Sequence, residues 1–161
     1  MSKEVKEKIT FDNILEIMVI DKATGKVKQY VKVKNALMQG FASFWASKIF
    51  IATANTGNVA AFNIGFNVFN LFTSTKSYIK SLTGSWGSQT DTGSVVQNVL
   101  TVTDSSTDTY TVAYVGATQS SNNAYGATQW FVVQLPSPVS KGSTDVITYR
   151  WTFQIPYQAP P

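Results

Sequence analysis

The side chains that could perform acid–base or metal chemistry in this chain are carboxylates and lysines, because it contains no histidine and no cysteine. Without histidine it lacks the usual general base and the commonest transition-metal ligand. Without cysteine it has no disulfide, thiolate zinc site or thiol nucleophile. Residues 1–34 hold five of the nine carboxylates, in a charged leader and a first hairpin. Any catalytic pair would therefore have to come from the few carboxylates elsewhere.

Three of those carboxylates, Asp91, Asp104 and Asp108, stand in stretches rich in glycine, serine and threonine. Aspartate is favoured in turns because its side chain accepts hydrogen bonds from nearby backbone N–H groups. Asp104 and Asp108 could also approach each other as a glycosidase pair, whose carboxyl groups lie about 5 to 9.5 Å apart. The turn interpretation is favoured, and the chain has no calcium-loop or phosphate-loop spacing. We therefore predict no catalytic, cofactor-binding or metal-ligating residue, and we expect the chain not to be an enzyme.

The stretch "VIDKATGKVKQYVKVKN" has four lysines separated by even numbers of residues in its second half: Lys26, Lys28, Lys32 and Lys34. In a strand with period two they would share one face. The residues predicted on the opposite face are valines: Val27, Val31 and Val33. We favour a one-sided antiparallel hairpin whose lysines face solvent and discourage unwanted strand pairing. A phosphate-binding strip is the alternative.

Alternating apolar residues predict strands along most of the chain. The first strand, "FDNILEIMVID", places Leu15, Ile17 and Val19 on one face, and the last, "DVITYRWTFQIP", places its large apolar residues opposite Arg150. Between them, "SVVQNVLTVTD" and "TYTVAYVGA" flank "SSTD", which predicts a hairpin. The residues expected to end the strand "TQWFVVQLP" are prolines: Pro136 and Pro138.

The stretch "ALMQGFASFWASKIF" has apolar residues at spacings of three and four, which predicts a helix over about 36–49. It is too apolar to lie alone on a surface, so it should pack on a sheet or on a neighbouring subunit. A strand with an asparagine face follows in "VAAFNIGFNVFNLF". The stretch 73–93 is expected to be a long loop, with room for one short strand, that is functional or packs on a partner. The residues that we predict at a subunit interface are Leu37, Phe41, Phe44, Trp45, Asn63 and Asn67.

Two aromatic residues, Trp86 and Tyr125, fall in predicted loops rather than in alternating strands. An aromatic ring on a loop can stack against a sugar or a base. We therefore name them as candidate ligand or attachment aromatics, while the other tryptophans and most phenylalanines are expected in the core or at an interface.

These patterns predict a mainly β fold: an antiparallel β-sandwich of jelly-roll or immunoglobulin-like type, with an N-terminal hairpin and one early helix. We divide the chain into a charged leader (1–10), a single domain (11–156) and a proline-rich tail (157–161). The start "MSKEVKEK" is charged and leads into no apolar segment, so no secretory signal is expected. The apolar stretch 36–54 is disfavoured as a membrane span because Lys48 interrupts it.

The N-terminal third resembles a known class of proteins. The turn "DKATGKV", the element "VKNALMQGF", an apolar helix and the strand "AFNIGFN" follow one another, and "RWTFQIP" closes the chain. This order is similar to that of structural proteins, of the tail, adaptor or capsid, of bacteriophages and archaeal viruses. The resemblance covers residues 11–70 and the last strand, and it implies a many-copy virion subunit held by its neighbours.

The function expected from these features is therefore virion assembly without a cofactor, with copies of the chain and other virion proteins as partners. The chain would be made in the host cytoplasm and reside in the virion. The alternative is a carbohydrate-binding or host-attachment β-sandwich module that uses Trp86 and Tyr125. A weak contact with nucleic acid through the lysine face, or with a glycan, is left open.

Overall fold

A computed structural model of the chain describes residues 12–35, 66–126, 129–158 and 160–161. Within these ranges the chain forms β-strands and no helix, which confirms the predicted mainly β class. The strands are β1 (Asp12–Asp21), β2 (Val27–Asn35), β3 (Val68–Phe72), β4 (Tyr78–Thr83), β5 (Ser85–Trp86), β6 (Thr90–Asp91), β7 (Val95–Asp104), β8 (Tyr110–Thr118), β9 (Phe131–Lys141) and β10 (Asp145–Pro156). The helix predicted over 36–49 lies outside the described residues.

The strands form two antiparallel sheets. Sheet A has six strands in the order β2-β1-β10-β7-β5, with β6 also paired to β7. Sheet B has four strands in the order β4-β3-β8-β9. Apolar residues from both sheets form one buried cluster between them, an arrangement consistent with a β-sandwich.

The centre of sheet A is the pair formed by β1 and β10, which are aligned from Asp12 opposite Gln154 to Asp21 opposite Asp145. The predicted inner face of β1 is confirmed, because Leu15, Ile17 and Val19 are buried. The inner face of β10 is buried as well, from Ile147 through Trp151. The indole N–H of Trp151 donates to the side-chain oxygen of Asn13 at 2.8 Å, so this polar atom is paired inside the core.

The hairpin of β1 and β2 is confirmed, but a bulge changes which residues share a face. Gln29 lies opposite Val19, whereas Val27 lies opposite Ile20, so Lys28 is an extra residue in β2. A bulge of this kind shifts the alternation by one position. Val27 therefore lies on the outside with Ile20 and is 50% exposed, although the alternation predicted it on the same face as Val31 and Val33.

The hairpin predicted around "SSTD" is wrong, because β7 belongs to sheet A and β8 to sheet B. Residues 105–109 carry the chain from one sheet to the other. Leu100 on β7 and Val112 and Val115 on β8 all enter the shared core. They enter it from opposite sides, because β7 pairs with β10 in sheet A while β8 pairs with β3 and β9 in sheet B. The small polar residues between the strands do not determine which sheet each strand joins.

The prediction that two prolines end their strand is also wrong, since β9 runs through Pro136 and Pro138 to Lys141. This strand is at the edge of sheet B, and its pairing with β8 shifts register where Val112 lies opposite Val139 and Tyr114 opposite Gln134. Proline has no N–H to donate, and an edge strand with an irregular register needs no donor there.

The stretch 73–93, predicted as a long loop, contains three short strands, β4, β5 and β6. Gly84 carries the chain from β4 in sheet B to β5 in sheet A, and its N–H donates to the Asn67 carbonyl at 2.7 Å. This glycine is buried where the sheets meet. A Cβ added to it would lie 2.9 Å from the Phe69 ring and 3.0 Å from the Thr101 carbonyl oxygen.

The outer face of sheet B is covered by the connection from β8 to β9. Asn70, on the outward side of β3, is fully buried and donates to Thr118 Oγ1 at 2.7 Å and to Gln129 Oε1 at 2.9 Å. The Gln129 amide in turn donates to the Ala124 carbonyl at 2.9 Å. Gly116 lies beneath this amide, in a space that a Cβ would fill. Hydrogen bonds therefore hold the covering segment onto the sheet.

The close approach at Gly84 leads to a first prediction. Gly84→Ala should lower the free energy of unfolding by about 1 to 3 kcal/mol, because the new methyl group overpacks a site bounded by a buried ring and a backbone carbonyl. Gly87→Ala is the matched control, since an added Cβ there meets only the Val99 carbonyl at 3.6 Å. Urea unfolding of both variants measures the difference, and equal stability of the two would contradict this account of Gly84.

Candidate functional site

Four charged residues of the second half of the chain, Asp104, Asp108, Lys141 and Asp145, lie at one end of the sandwich, which we call the turn end. It consists of the connections 22–26, 105–109 and 142–144 with the strand residues beside them. Lys22 joins all three connections, because its N–H donates to the Thr144 carbonyl at 3.0 Å and its ammonium to the Ser105 carbonyl. Three separate turns therefore form one connected surface.

Asp104 is one of two buried carboxylates of the turn end, with Asp145. It accepts hydrogen bonds from the Lys80 ammonium at 3.0 Å and from the Tyr110 hydroxyl at 2.9 Å, and Ser106 also donates to it through its backbone N–H. Burial alone would raise the pKa of Asp104, but these hydrogen bonds outweigh it and hold the pKa far below its usual range. Lys80 also contacts Asp108, at 2.7 Å.

Lys141 is a buried cation whose ammonium group donates to three backbone carbonyls, those of Ser106, Asp108 and Gly142. The first two lie in the connection between the sheets, and the third begins the turn before β10. A buried charge is tolerated only when its hydrogen-bonding capacity is satisfied. Lys141 therefore ties the crossing segment to the β9–β10 turn, and all three of its N–H groups are in use.

A further ion pair joins β2 to β10 within sheet A, next to the β9–β10 turn. The Lys28 ammonium lies 3.0 Å from each carboxylate oxygen of Asp145, which also accepts from the Gly142 N–H at 2.8 Å. These bonds, led by the one from Gly142, lower the pKa of Asp145. A polar surface pocket of about 550 Å³ lies beside this pair, with hydroxyl groups in its lining, including those of Thr111 and Ser140.

The charged groups of the turn end hold its three connections in place. The lowered pKa values keep Asp104, Asp108 and Asp145 ionised near neutral pH, far from the pKa that suits a general acid or base. Among the residues that the structure describes, no group of three or more carboxylates could hold a metal ion. The glycosidase pair weighed for Asp104 and Asp108 is instead bridged by one lysine. That the chain is not an enzyme stays a prediction.

The structure separates the four lysines of the predicted basic face. Lys28 is paired with Asp145 at the sheet edge, and Lys26 is in the turn. Lys32 and Lys34 are exposed on the outer face of sheet A, as predicted. Lys32 lies opposite Glu16, and Glu16 lies opposite Arg150, so a distant arginine shares this face. No sequence spacing links Arg150 to Lys32, because the link is the register of three strands.

The two candidate ligand aromatics lie on different parts of the molecule and are not brought together. Trp86 is at the edge of sheet A, 36% exposed, and its indole N–H donates to the Phe66 carbonyl at 2.9 Å. Tyr125 belongs to the segment that covers sheet B, where its ring packs edge-on against Phe72 and Tyr114. The Lys76 ammonium lies 5.0 Å from the centre of the Tyr125 ring. That Trp86 and Tyr125 stack against a sugar stays a prediction.

Opposite the turn end lies a cluster of rings that we call the aromatic end: Phe66, Trp86, Trp130, Phe131 and Phe153. Phe66 is its centre, with ring centroids 5.2 Å from Trp86, Phe131 and Phe153 and 5.8 Å from Trp130. Beyond Phe153 the same side of β10 carries Ile155, and Tyr157 follows after the strand ends; these side chains are 43% and 39% exposed. Tyr157 is held by hydrogen bonds to Ser94 and Asp91.

Of the six predicted interface residues, only Asn67 is among the described residues. It is half-buried beside β3, and its carbonyl accepts from Gly84. The other five, Leu37, Phe41, Phe44, Trp45 and Asn63, lie outside the described residues. The segment that carries them leaves at Asn35 and returns at Phe66. Asn35 lies opposite Asn13, which is itself opposite Phe153, so both ends of the segment are at the aromatic end.

Comparison with known proteins finds no matching family model, no matching curated protein and no matching solved structure. In the described part of the chain, no helix has the length and apolar character needed to cross a membrane. Function therefore has to be inferred from the surfaces of the chain itself.

The two carboxylates that share Lys80 lead to a second prediction. Asp104→Asn should lower the free energy of unfolding at pH 7 by about 2 to 3 kcal/mol, because a buried, charge-assisted hydrogen-bond network is lost. Asp108→Asn should lower it much less than Asp104→Asn does, since this side chain is 59% exposed and its charge is screened by solvent. Urea unfolding at neutral pH measures both.

The same variants test the pH dependence. The pKa of Asp104 is lower in the folded chain than in the unfolded chain, so its stabilisation is present above about pH 4 and is lost as the pH falls below that value. The stability difference between the original chain and Asp104→Asn should therefore shrink between pH 4 and pH 2. A difference that stays constant over that range would contradict the lowered pKa.

Proposed function

We propose that the chain is a virion structural protein, a many-copy subunit of a viral tail, portal-proximal adaptor or capsid that acts through homo- and hetero-oligomeric assembly. The resemblance of residues 11–70 to such proteins supports this role. The observation that carries it is the aromatic end, where large apolar side chains are partly exposed beyond the shared core. Apolar surface concentrated in one place is typical of a contact with another protein.

The contact that we propose is made by the inner side of β10 beyond the core. Phe153 packs on Phe131 with ring centroids 5.0 Å apart, and Phe131 is the first residue of β9. Ile155 and Tyr157 follow and extend past that point. A neighbouring copy or another virion protein would bury them, and burying one such side chain is worth about 1.5 to 3 kcal/mol. The predicted interface residues of 36–65 belong to a segment that starts and ends here.

The proposal also includes a jelly-roll or immunoglobulin-like connectivity. Two features support it: the chain crosses between the sheets at 105–109, and the first and last described strands pair in one sheet. Crossing connections of this kind are common in both architectures. Virion residence and the partners named above are part of the same proposal.

Assembly through the aromatic end is tested by light scattering after size-exclusion chromatography. The chain should associate as its concentration rises, and Ile155→Asp and Tyr157→Ala should weaken association at least tenfold, because apolar contact area is lost. Val27→Asp is the matched control, since Val27 is an exposed apolar residue remote from this end. Association that is equally impaired in the control would place the contact elsewhere.

The virion role itself is tested by mass spectrometry of purified virus particles. We expect the chain at many copies per particle. A chain that is monomeric at high concentration and absent from particles would contradict the proposed function.

A further inference from the structure

Most carboxylates of the described residues accept hydrogen bonds, whereas several exposed cations form no ion pair. Six of the seven carboxylates accept hydrogen bonds from side chains or backbone N–H groups: Glu16, Asp21, Asp91, Asp104, Asp108 and Asp145. The seventh is Asp12. In contrast, Lys32, Lys34 and Arg150 form no ion pair within the described part of the chain. All three are exposed on the outer face of sheet A. Lys22, Lys26, Lys76 and Lys141 also form no ion pair among the described residues, but Lys22 and Lys141 donate to backbone carbonyls and Lys76 lies over the Tyr125 ring. Three cations without an ion pair thus share the outer face of sheet A.

The geometry of this face follows from the strand register. Lys32, Glu16, Arg150 and Thr101 stand in one row across β2, β1, β10 and β7. Adjacent strands are about 4.8 Å apart, so the backbones at Lys32 and Arg150 are separated by about 10 Å. Lys34 is on the same face about 7 Å further along β2. The cations thus lie on both sides of Glu16.

An exposed aromatic ring completes the face. Tyr30, 52% exposed, stands in the neighbouring row with Met18, and its hydroxyl donates to Glu16 at 2.6 Å. This bond fixes the ring but leaves the charge of Glu16 in place. Asp12 is exposed on the same side of β1, so the three cations of this face exceed its two carboxylates by one. A groove of about 460 Å³ runs from Tyr30 past Arg150 to hydroxyl groups of β10 and β7, Thr148 and Thr101.

We propose that this face, defined by Tyr30, Lys32, Lys34 and Arg150, binds single-stranded nucleic acid without sequence preference. Lysine, arginine and threonine are side chains that contact phosphate oxygens. An exposed ring beside such cations stacks on any base, because every base has a π-face. A base in a duplex has no free face, so the ring favours a single strand. An acidic protein or an anionic membrane would also match the cations, and binding measurements with vesicles and with polyglutamate separate these partners from a nucleic acid.

The inference does not depend on the virion role, since it uses a different surface. It also corrects the predicted basic face. Lys26 and Lys28 leave that face because of the bulge and the Asp145 pair, Tyr30 stays on it beside Lys32 as the alternation predicts, and Arg150 joins it.

The test is fluorescence anisotropy of a labelled 20-nucleotide oligothymidine titrated with the full chain at 20 to 200 mM NaCl. Three phosphate contacts predict that log Kobs falls against log salt with a slope of about −2. Lys32→Gln, Lys34→Gln and Arg150→Gln should each make the slope shallower by about 0.7. Lys26→Gln removes the same charge from an exposed lysine off this face and should leave slope and affinity unchanged.

Stacking is tested separately at Tyr30. Tyr30→Leu should weaken binding by about tenfold because the ring is lost, while Tyr30→Phe keeps the ring and should bind as the original chain does. Circular dichroism confirms that each variant is folded.

Three results would overturn the proposal. One is the absence of oligothymidine binding at 20 mM NaCl. Another is an equal loss of oligonucleotide affinity in Lys26→Gln and Lys32→Gln, which would show that net charge alone attracts the nucleic acid. The third is binding to vesicles with phosphatidylserine, or to polyglutamate, that is as tight as binding to the oligonucleotide.

Discussion

Burial of the inner face of β10 is the constraint on which the rest of the structure depends. Trp151 and Tyr149 are fully buried, and Phe69 of sheet B lies against both, with ring centroids 6.0 and 5.9 Å away. Sheet B must therefore lie across β10, and β1 and β7 are positioned by pairing with it. Because one strand organises both layers, the turn end and the aromatic end are the two ends of the same strand.

Four lysines of the described residues connect separate segments of the chain. Only 14% of residues are charged, yet Lys22, Lys28, Lys80 and Lys141 each join segments that are far apart in sequence. A turn held in this way has little freedom to move. The aromatic end has a different character, since packing of rings replaces ionic contacts there. The chain thus combines a polar, cross-linked end with an apolar end that is suited to contact.

Local alternation was sufficient to predict the strands whose inner faces are apolar, because period two is a property of each strand by itself. Leu15, Ile17 and Val19 on β1 are examples. Features that depend on a second strand could not be predicted. The bulge at Lys28 is set by pairing with β1, and Pro136 and Pro138 are tolerated because β9 is at an edge. The row from Lys32 to Arg150 joins residues more than a hundred positions apart. The sequence offered one signal for these missed residues: Lys80, Lys141 and Arg150 are isolated charges in a nearly uncharged stretch.

The position of Lys141 has a consequence for the surroundings that the chain tolerates. In many proteins a dissolved cation gathers backbone carbonyls from separate loops, and its departure loosens them. Here the cation that gathers the carbonyls of Ser106, Asp108 and Gly142 is covalently part of the chain. It cannot be diluted, chelated or exchanged. The contact that this ammonium group makes with these loops therefore needs no dissolved metal ion.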